Sequence, residues 1–324
     1  MMEPLLEKQN NRYVLYPIKH EDIWAYYKKQ MTAFWTAEEI DFSADINDWE
    51  QLDSNEKFLI ENVLAFFAGS DGIVFENINN NFAEEIQLPE VRCCYGFQAM
   101  MENVHSETYS LMIDTLIKDK DRKAELFNAI DKIPAVKGKA DWASKYLNAD
   151  NAPFQERILA FSIVEGVFFS GSFCVIFWLK HVKGKMTKAL AKSNELIARD
   201  EGMHTDFAVL LYTKYITNKL EESRVHKIMK EAVDLEMEFI CNSLKCNLIG
   251  INNDHMKTYI KYVADRLLTQ LGYSKIYNEE CPFDFMKTSS LDGKSNFFEQ
   301  RVTEYNRADQ LNKGLEYVDI LDNF

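Results

Sequence analysis

The chain has 324 residues, 47% of them hydrophobic and 27% charged, values that exclude an intrinsically disordered chain and allow a large apolar core. Its 51 acidic against 37 basic residues give a net charge of −14, which repels phosphate backbones and excludes non-specific nucleic-acid binding. Six cysteines without a CxxC pair are too sparse for a disulfide scaffold, and MMEPLLEKQNNRY at the N-terminus is neither a signal nor a transit peptide in pattern, so a reducing, cytoplasmic setting is expected.

Proline stands only at positions 4, 17, 89, 134, 153 and 282, and the long stretch Phe154–Cys281 has none before its end. Apolar residues recur at spacings of three and four rather than two, which predicts an all-α fold. In chain order the helices are expected at about 20–34, 55–87, 90–118, 121–131, 154–181, 188–216, 219–247 and 253–271. The helix over 55–87 has the seam Ile60, Leu64, Phe67, Asp71, Val74, Ile78; that over 90–118 has Gln98, Glu102, His105, Tyr109, Met112, Leu116. Within 154–181 the run Ile158–Leu179 imitates a membrane span, yet carries Glu165 near its middle. A central carboxylate is costly in lipid, so the buried centre of a soluble bundle is expected instead. Its seam reads Ile158, Ser162, Glu165, Phe169, Ser172, Ile176, and the helix over 188–216 reads Asn194, Ile197, Glu201, His204, Ala208, Leu211.

Length alone suggests roughly two domains, but no Ser/Gly/Pro linker, low-complexity tract or short repeat divides the helices. One helical domain over 1–298 is therefore expected. After Phe298 the sequence turns polar, RVTEYNRADQLNKGLEYVDILDNF, and 299–324 is read as a mobile tail with a short apolar-acidic tip.

The informative residues are the charged ones inside apolar seams, because an ionised group buried without a partner costs several kcal/mol. Asp71 and Glu165 each take a place that packing would give to an aliphatic side chain. Glu102 with His105, and Glu201 with His204, form Glu-x-x-His pairs whose spacing puts both side chains on one helix face within reach of a single ion. With 29 glutamates and six histidines, composition alone gives about 0.5 such pairs, so the count says less than the order. That order is lone acid, Glu-x-x-His, lone acid, Glu-x-x-His. Four converging carboxylates cannot all stay ionised without cations, and two divalent metals would balance them. Oxygen-rich ligation with one imidazole per ion suits iron or manganese and leaves positions for dioxygen. This is the ligand logic of ferritin-like di-iron and di-manganese carboxylate bundles.

The stretches FFAGSDGIVFENI around Asp71, CCYGFQAMMENVHSETYSLMID around Glu102, VEGVFFSGSF around Glu165 and SNELIARDEGMHTDFA around Glu201 resemble the small, radical-generating subunit of class I ribonucleotide reductase, in its eukaryotic-type branch. The resemblance runs from EPLLEKQNNRYVLYPI and WTAEEIDFSADINDW to CPFDFM and NFFEQRVTEY. It implies a ferritin-like helical bundle with extra helices, and two iron ions per chain, or manganese in their place. Asp71, Glu102 and His105 would hold one ion, and Glu165, Glu201 and His204 the other. It implies a stable radical on Tyr109 inside a pocket that includes Phe169, Phe173 and Ile197. Trp35 and Asp200 match the family's radical-transfer route, and Asp200 is also the carboxylate expected to orient a metal-bound His105. In the tail, Tyr305 matches the residue that passes the radical to the large subunit, with Tyr317 a competitor. The tip EYVDILDNF resembles the family's docking peptide only in its apolar-acidic character.

The function so implied is radical generation with dioxygen and delivery to a large subunit that reduces ribonucleoside diphosphates to deoxyribonucleoside diphosphates. The chain contains no GxxxxGK[ST] and no GxGxxG opening a helix, in keeping with nucleotide chemistry on a separate subunit. A homodimer is expected, and neither nucleic acid nor a membrane as partner. The same ligands would also serve a carboxylate-bridged oxidase or an iron-storage bundle. Trp35, Tyr109 and the tail tyrosines weigh against the first, and a free tail against the second.

Overall fold

A computed structural model of the chain describes residues 3–8, 12–147 and 151–288. Helix α1 is Glu21–Thr32, α2 is Ser54–Asn77, α3 is Pro89–Leu116, α4 is Lys120–Phe127 and α5 is Pro134–Leu147. Helices α6, Phe154–Ile163, and α7, Ser170–His181, flank a turn of π geometry at Val164–Phe168. Then follow α8 at Leu190–Leu210, α9 at Glu222–Ser243, α10 at Asn253–Gln270 and the short α11 at Asp284–Thr288. Among the described residues the only β pairing is the isolated bridge between Leu248 and Ile251.

Local chemistry sets several of these ends. Asp53 accepts the amide N–H groups of Asn55 and Glu56 while Glu56 accepts that of Asp53, a reciprocal box that starts α2. Pro89 opens α3 at a position where its missing N–H costs nothing. The start of α8 is capped from afar: the buried Asp45 carboxylate accepts N–H groups of Lys188, Ala189 and Leu190 at 2.8 to 3.1 Å. That contact ties the N-terminal segment to the helix carrying Glu201 and His204.

Helix α2 packs along α3, α3 also meets α1, α8 packs on α6 and α7, and α9 meets α5 and α10. Buried apolar side chains from Leu5 to Met286 form one cluster among the described residues. The span Phe154–His181 is apolar enough to cross a membrane, but its most apolar 18-residue window is wholly buried inside the protein, as expected for a central helix.

The structure departs from the sequence reading in three places. The expected helix over 121–131 breaks at Asn128 into α4 and a short turn, Ala129–Lys132. Helix α5 has no counterpart among the expected helices, although its buried face, Val136, Lys139, Ala140, Trp142, Ala143 and Tyr146, recurs at helical spacing; the sequence reading passes over a segment opened by a proline, interrupted by Gly138 and carrying a lysine in its apolar face. The expected long helices over 55–87, 154–181 and 188–216 each contain a π turn, at Ile78–Phe82, Val164–Phe168 and Leu211–Tyr215. Two of these lie in the last turns of their helices and the third in a segment buried on every side, so periodicity does not reveal them. The tail 299–324, with Tyr305 and Tyr317, lies outside the described residues.

Candidate metal centre

Four helical segments bring six ionisable side chains together in the core. Asp71 comes from α2, Glu102 and His105 from α3, Glu165 from the π turn, and Glu201 and His204 from α8; each is at most 1% exposed. Their ligand atoms form two overlapping groups, each within 4.8 Å: Asp71, Glu102 and His105, and Glu102, Glu165, Glu201 and His204. Glu102 belongs to both. His204 Nδ1 lies 3.0 Å from Glu102 and 3.1 Å from Glu201, while His105 Nδ1 lies 3.5 Å from Glu102 and 3.0 Å from Glu201.

His204 Nδ1 and Glu201 meet in a hydrogen bond, but other atoms of the cluster are left unsatisfied. Asp71 Oδ2, both Glu102 oxygens, Glu165 Oε2 and His105 Nδ1 are buried without a hydrogen-bond partner, which is costly unless something else meets them. Lone pairs aimed at a common point, hard oxygen donors, one imidazole per group and no thiolate fit two divalent cations of the iron or manganese kind, with Glu102 shared between them. In the absence of cations, protons do part of that work. Burial and then Glu102 push the Asp71 carboxyl well above its ordinary value, and burial and then Glu201 do the same to Glu165. Burial would raise Glu201 too, but the bond from Glu165 and the charge of His204 hold it down. Desolvation opposes a charge on His204, yet Glu201 and Glu102 raise it to about 9.

Tyr109 sits two turns beyond Glu102 on α3, 1% exposed, with a hydroxyl that has no hydrogen-bond partner. Burial, and after it the Asp71 carboxylate, raises this phenol well above its ordinary value, so it stays protonated at neutral pH. Its ring stacks on Phe67 at 4.3 Å and 4°. Phe67 in turn meets Phe169 at 5.7 Å and Phe173 at 5.0 Å. Ile197, one turn before Glu201, is buried as well. The pocket is dry and aromatic.

On the other side of the cluster, His105 Nε2 lies 3.2 Å from Asp200 Oδ2, and the same oxygen accepts the Trp35 indole N–H at 2.7 Å. The Trp35 and His105 rings are stacked with centroids 6.0 Å apart. Arg199 donates to the second oxygen, Asp200 Oδ1, at 2.9 and 3.1 Å and to the Ala33 carbonyl at 2.5 Å. Burial works against an ionised Asp200, but Arg199 and then His105 keep its carboxyl below the usual range.

Comparison with known proteins places this geometry in a family. The family model described as ribonucleotide reductase, small chain, matches residues 12–282. The chain is 55% identical over 306 residues to the ribonucleoside-diphosphate reductase small chain of Trypanosoma brucei brucei, covering 94% of this chain and 90% of that one. The corresponding protein of Variola virus is also 55% identical, with 94% and 95% covered. Among solved structures, the ribonucleotide reductase Rnr4 homodimer of Saccharomyces cerevisiae is 39% identical, with a TM-score of 0.80 over 88% of this chain and 90% of that one.

The chain belongs to the ribonucleotide reductase small-chain family. It is an oxidoreductase subunit, and its fold is the all-α, ferritin-like bundle of that family. All six expected ligand positions of this small chain converge, Trp35 bonds to Asp200, and Phe169 and Phe173 are linked to Tyr109 through Phe67, whose ring packs against all three. The sequence reading missed the second membership of Glu102, for which ligand order carries no signal. It also missed Phe67 as the stacking partner, although the i, i+4 step to Asp71 pointed there. Gln98, whose amide donates to Glu165 Oε1 at 3.1 Å, stood in the seam without a role, and Arg199 stood outside it.

Proposed function

We propose that this small subunit generates and stores a radical on Tyr109 and passes it to the large subunit, which reduces ribonucleoside diphosphates to deoxyribonucleoside diphosphates. The observation that carries the reading is the pairing of two carboxylate–histidine groups sharing Glu102 with a solvent-free tyrosine two turns away. Asp71, Glu102 and His105 would hold one iron, and Glu165, Glu201 and His204 with Glu102 the other; the pair, or manganese in its place, would supply oxidising power drawn from dioxygen.

The remaining work falls to the chain. Tyr109 gives up one electron and its phenolic proton, and the raised value of that phenol keeps the proton in place until the electron leaves. The ring, held flat against Phe67 and 1% exposed, is kept from water and from reductants that would quench it, and Phe169, Phe173 and Ile197 are the proposed remainder of its pocket. Asp200 fixes the His105 ring through Nε2 and binds Trp35 through the same oxygen, so Trp35, Asp200 and His105 form one hydrogen-bonded line along which we propose the radical leaves. Tyr305 in the tail 299–324 is the proposed relay to the large subunit. A homodimer is proposed from the likeness to the Rnr4 homodimer, and a cytoplasmic setting from six cysteines that are all free thiols.

The test is reconstitution with the large subunit. Together the two subunits should turn over a ribonucleoside diphosphate, the small subunit alone should not, and Tyr109→Phe should abolish turnover while still binding two metals per chain. Full activity of Tyr109→Phe would overturn the reading.

A further inference from the structure

Glu165 is the one proposed ligand that does not sit on regular α-helix. It stands in the π turn Val164–Phe168 between α6 and α7. Turns of this kind are rare and concentrate at functional sites. Widening a turn takes backbone groups out of the regular ladder, and here side chains from two other helices meet the backbone at its last residue and just beyond it. Lys139 Nζ of α5 donates to the Phe168 carbonyl at 2.7 Å, and Glu236 Oε1 of α9 accepts the Gly171 N–H at 3.1 Å. Lys139 and Glu236 pair with each other at 2.5 Å, 2% and 0% exposed. The ammonium also lies 3.2 Å over the Phe66 ring. At Gly171 a Cβ would fall 2.5 Å from Glu236 Oε1 and 2.7 Å from Ile240 Cγ1, so this approach requires glycine.

The turn is well packed, with Val164 and Phe168 at most 6% exposed, but apolar packing supplies no hydrogen-bond partner for the backbone groups at its end. Val164 and Phe168 border only a small pocket, lined also by Phe66, Ile73, Lys139 and Ala140. Stability does not explain the pair, since replacing a buried ion pair by apolar residues is commonly neutral or stabilising. Burial pulls Lys139 down to about 8 and lifts Glu236 to about 7 against their mutual attraction.

We infer that Lys139 and Glu236 are a positioning pair for Glu165: bonded to the backbone of Phe168 and Gly171, they fix the π turn and hold the Glu165 carboxylate against Glu102, Glu201 and His204. Phe169 lies between the two anchored residues and meets Phe66 at 5.6 Å and Phe67 at 5.7 Å, so the same clamp steadies one wall of the Tyr109 pocket. The inference rests on the metal-centre reading above.

The test is the double variant Lys139→Met/Glu236→Leu in the full chain, which removes both charges at once. Without metal it should still fold, the relief of two buried charges offsetting part of the loss of the bonds to Phe168 and Gly171, while amide hydrogen exchange over 164–171 accelerates several-fold. In an anaerobic ferrous titration by calorimetry, one of the two equivalents should bind about tenfold more weakly or worse, the usual cost of losing a group that orients a ligand. Wild-type exchange together with two wild-type ferrous affinities would overturn the assignment. If the double variant does not fold, Glu236→Gln decides: it keeps the volume and the Gly171 bond but loosens Lys139, and wild-type values in both readouts would again overturn the pair. A wild-type chain that takes up fewer than two ferrous ions overturns the metal-centre reading instead; exchange measured without metal is independent of that result and still judges the pair.

Discussion

Phe67→Ala tests whether the stacked ring shields Tyr109 or merely fills space. Phe67 is 1% exposed and its ring meets four others, Tyr109 at 4.3 Å, Phe173 at 5.0 Å, Phe169 at 5.7 Å and Phe66 at 5.8 Å. Removing it forfeits about 1.5–3 kcal/mol of burial, and the cavity left among rings that cannot collapse brings the loss to about 3–5 kcal/mol. In a chain of this size each kcal/mol lowers Tm by about 2 °C, so calorimetry should record a fall of about 6–10 °C. From a mid-range stability of about 10 kcal/mol that loss leaves about 5–7 kcal/mol, enough to stay folded at 25 °C, which leaves the second readout open. The Tyr109 radical, followed by paramagnetic resonance after loading, should decay several-fold faster in Phe67→Ala because water and small reductants reach the ring. Phe67→Leu, which refills much of the space, should recover most of Tm and only part of the lifetime. An unchanged lifetime in Phe67→Ala with the expected fall in Tm would refute the shielding argument.

Trp35→Phe removes the 2.7 Å bond to Asp200 while the bonds from His105 and Arg199 remain; it should cost about 1.5–3 kcal/mol of stability, leave radical yield unchanged and abolish turnover with the large subunit. Loading two metals should raise Tm, since free metal at one hundred times its dissociation constant adds about 2.7 kcal/mol per site; a thermal melt with and without ferrous ion checks it. In the metal-free chain His204 is raised from 6.5 to about 9. Its stabilising contribution is therefore complete below 6.5 and lost as pH rises through about 9. The Tm difference between wild type and His204→Gln should shrink across that window without metal. With metal bound the imidazole must be neutral to serve as a ligand, so the difference should then grow with pH.

The candidate centre was legible because a charge inside an apolar seam is costly unless a partner or an ion meets it: Asp71, Glu102, His105, Glu165, Glu201 and His204 stood out without any contact being known. Phe67 did not, because an aromatic in a seam looks the same whether it fills the core or walls a pocket. Helix α5 was passed over although Val136, Ala140, Trp142, Ala143 and Tyr146 recur at helical spacing, because Pro134 and Gly138 count against a helix, and with it went Lys139, a lysine in that apolar face whose burial no local pattern announces. Arg199 lay off the ligand face, and its role depends on the Ala33 carbonyl, 166 residues away in sequence. The π turn under Glu165 was invisible for another reason: the segment 156–179 is buried on every side, so a shift of register leaves no mark in the pattern.

The central claim is that this chain makes a radical on Tyr109 from two metals held by the six converging side chains. Electron paramagnetic resonance of the purified chain after anaerobic ferrous loading and exposure to air tests it most directly, with Tyr109→Phe beside the wild type. A tyrosyl signal in the wild type that is absent from Tyr109→Phe, with two irons bound in both, is the predicted result; two bound irons and no tyrosyl signal in the wild type would contradict the account and favour an oxidase that acts on a bound substrate.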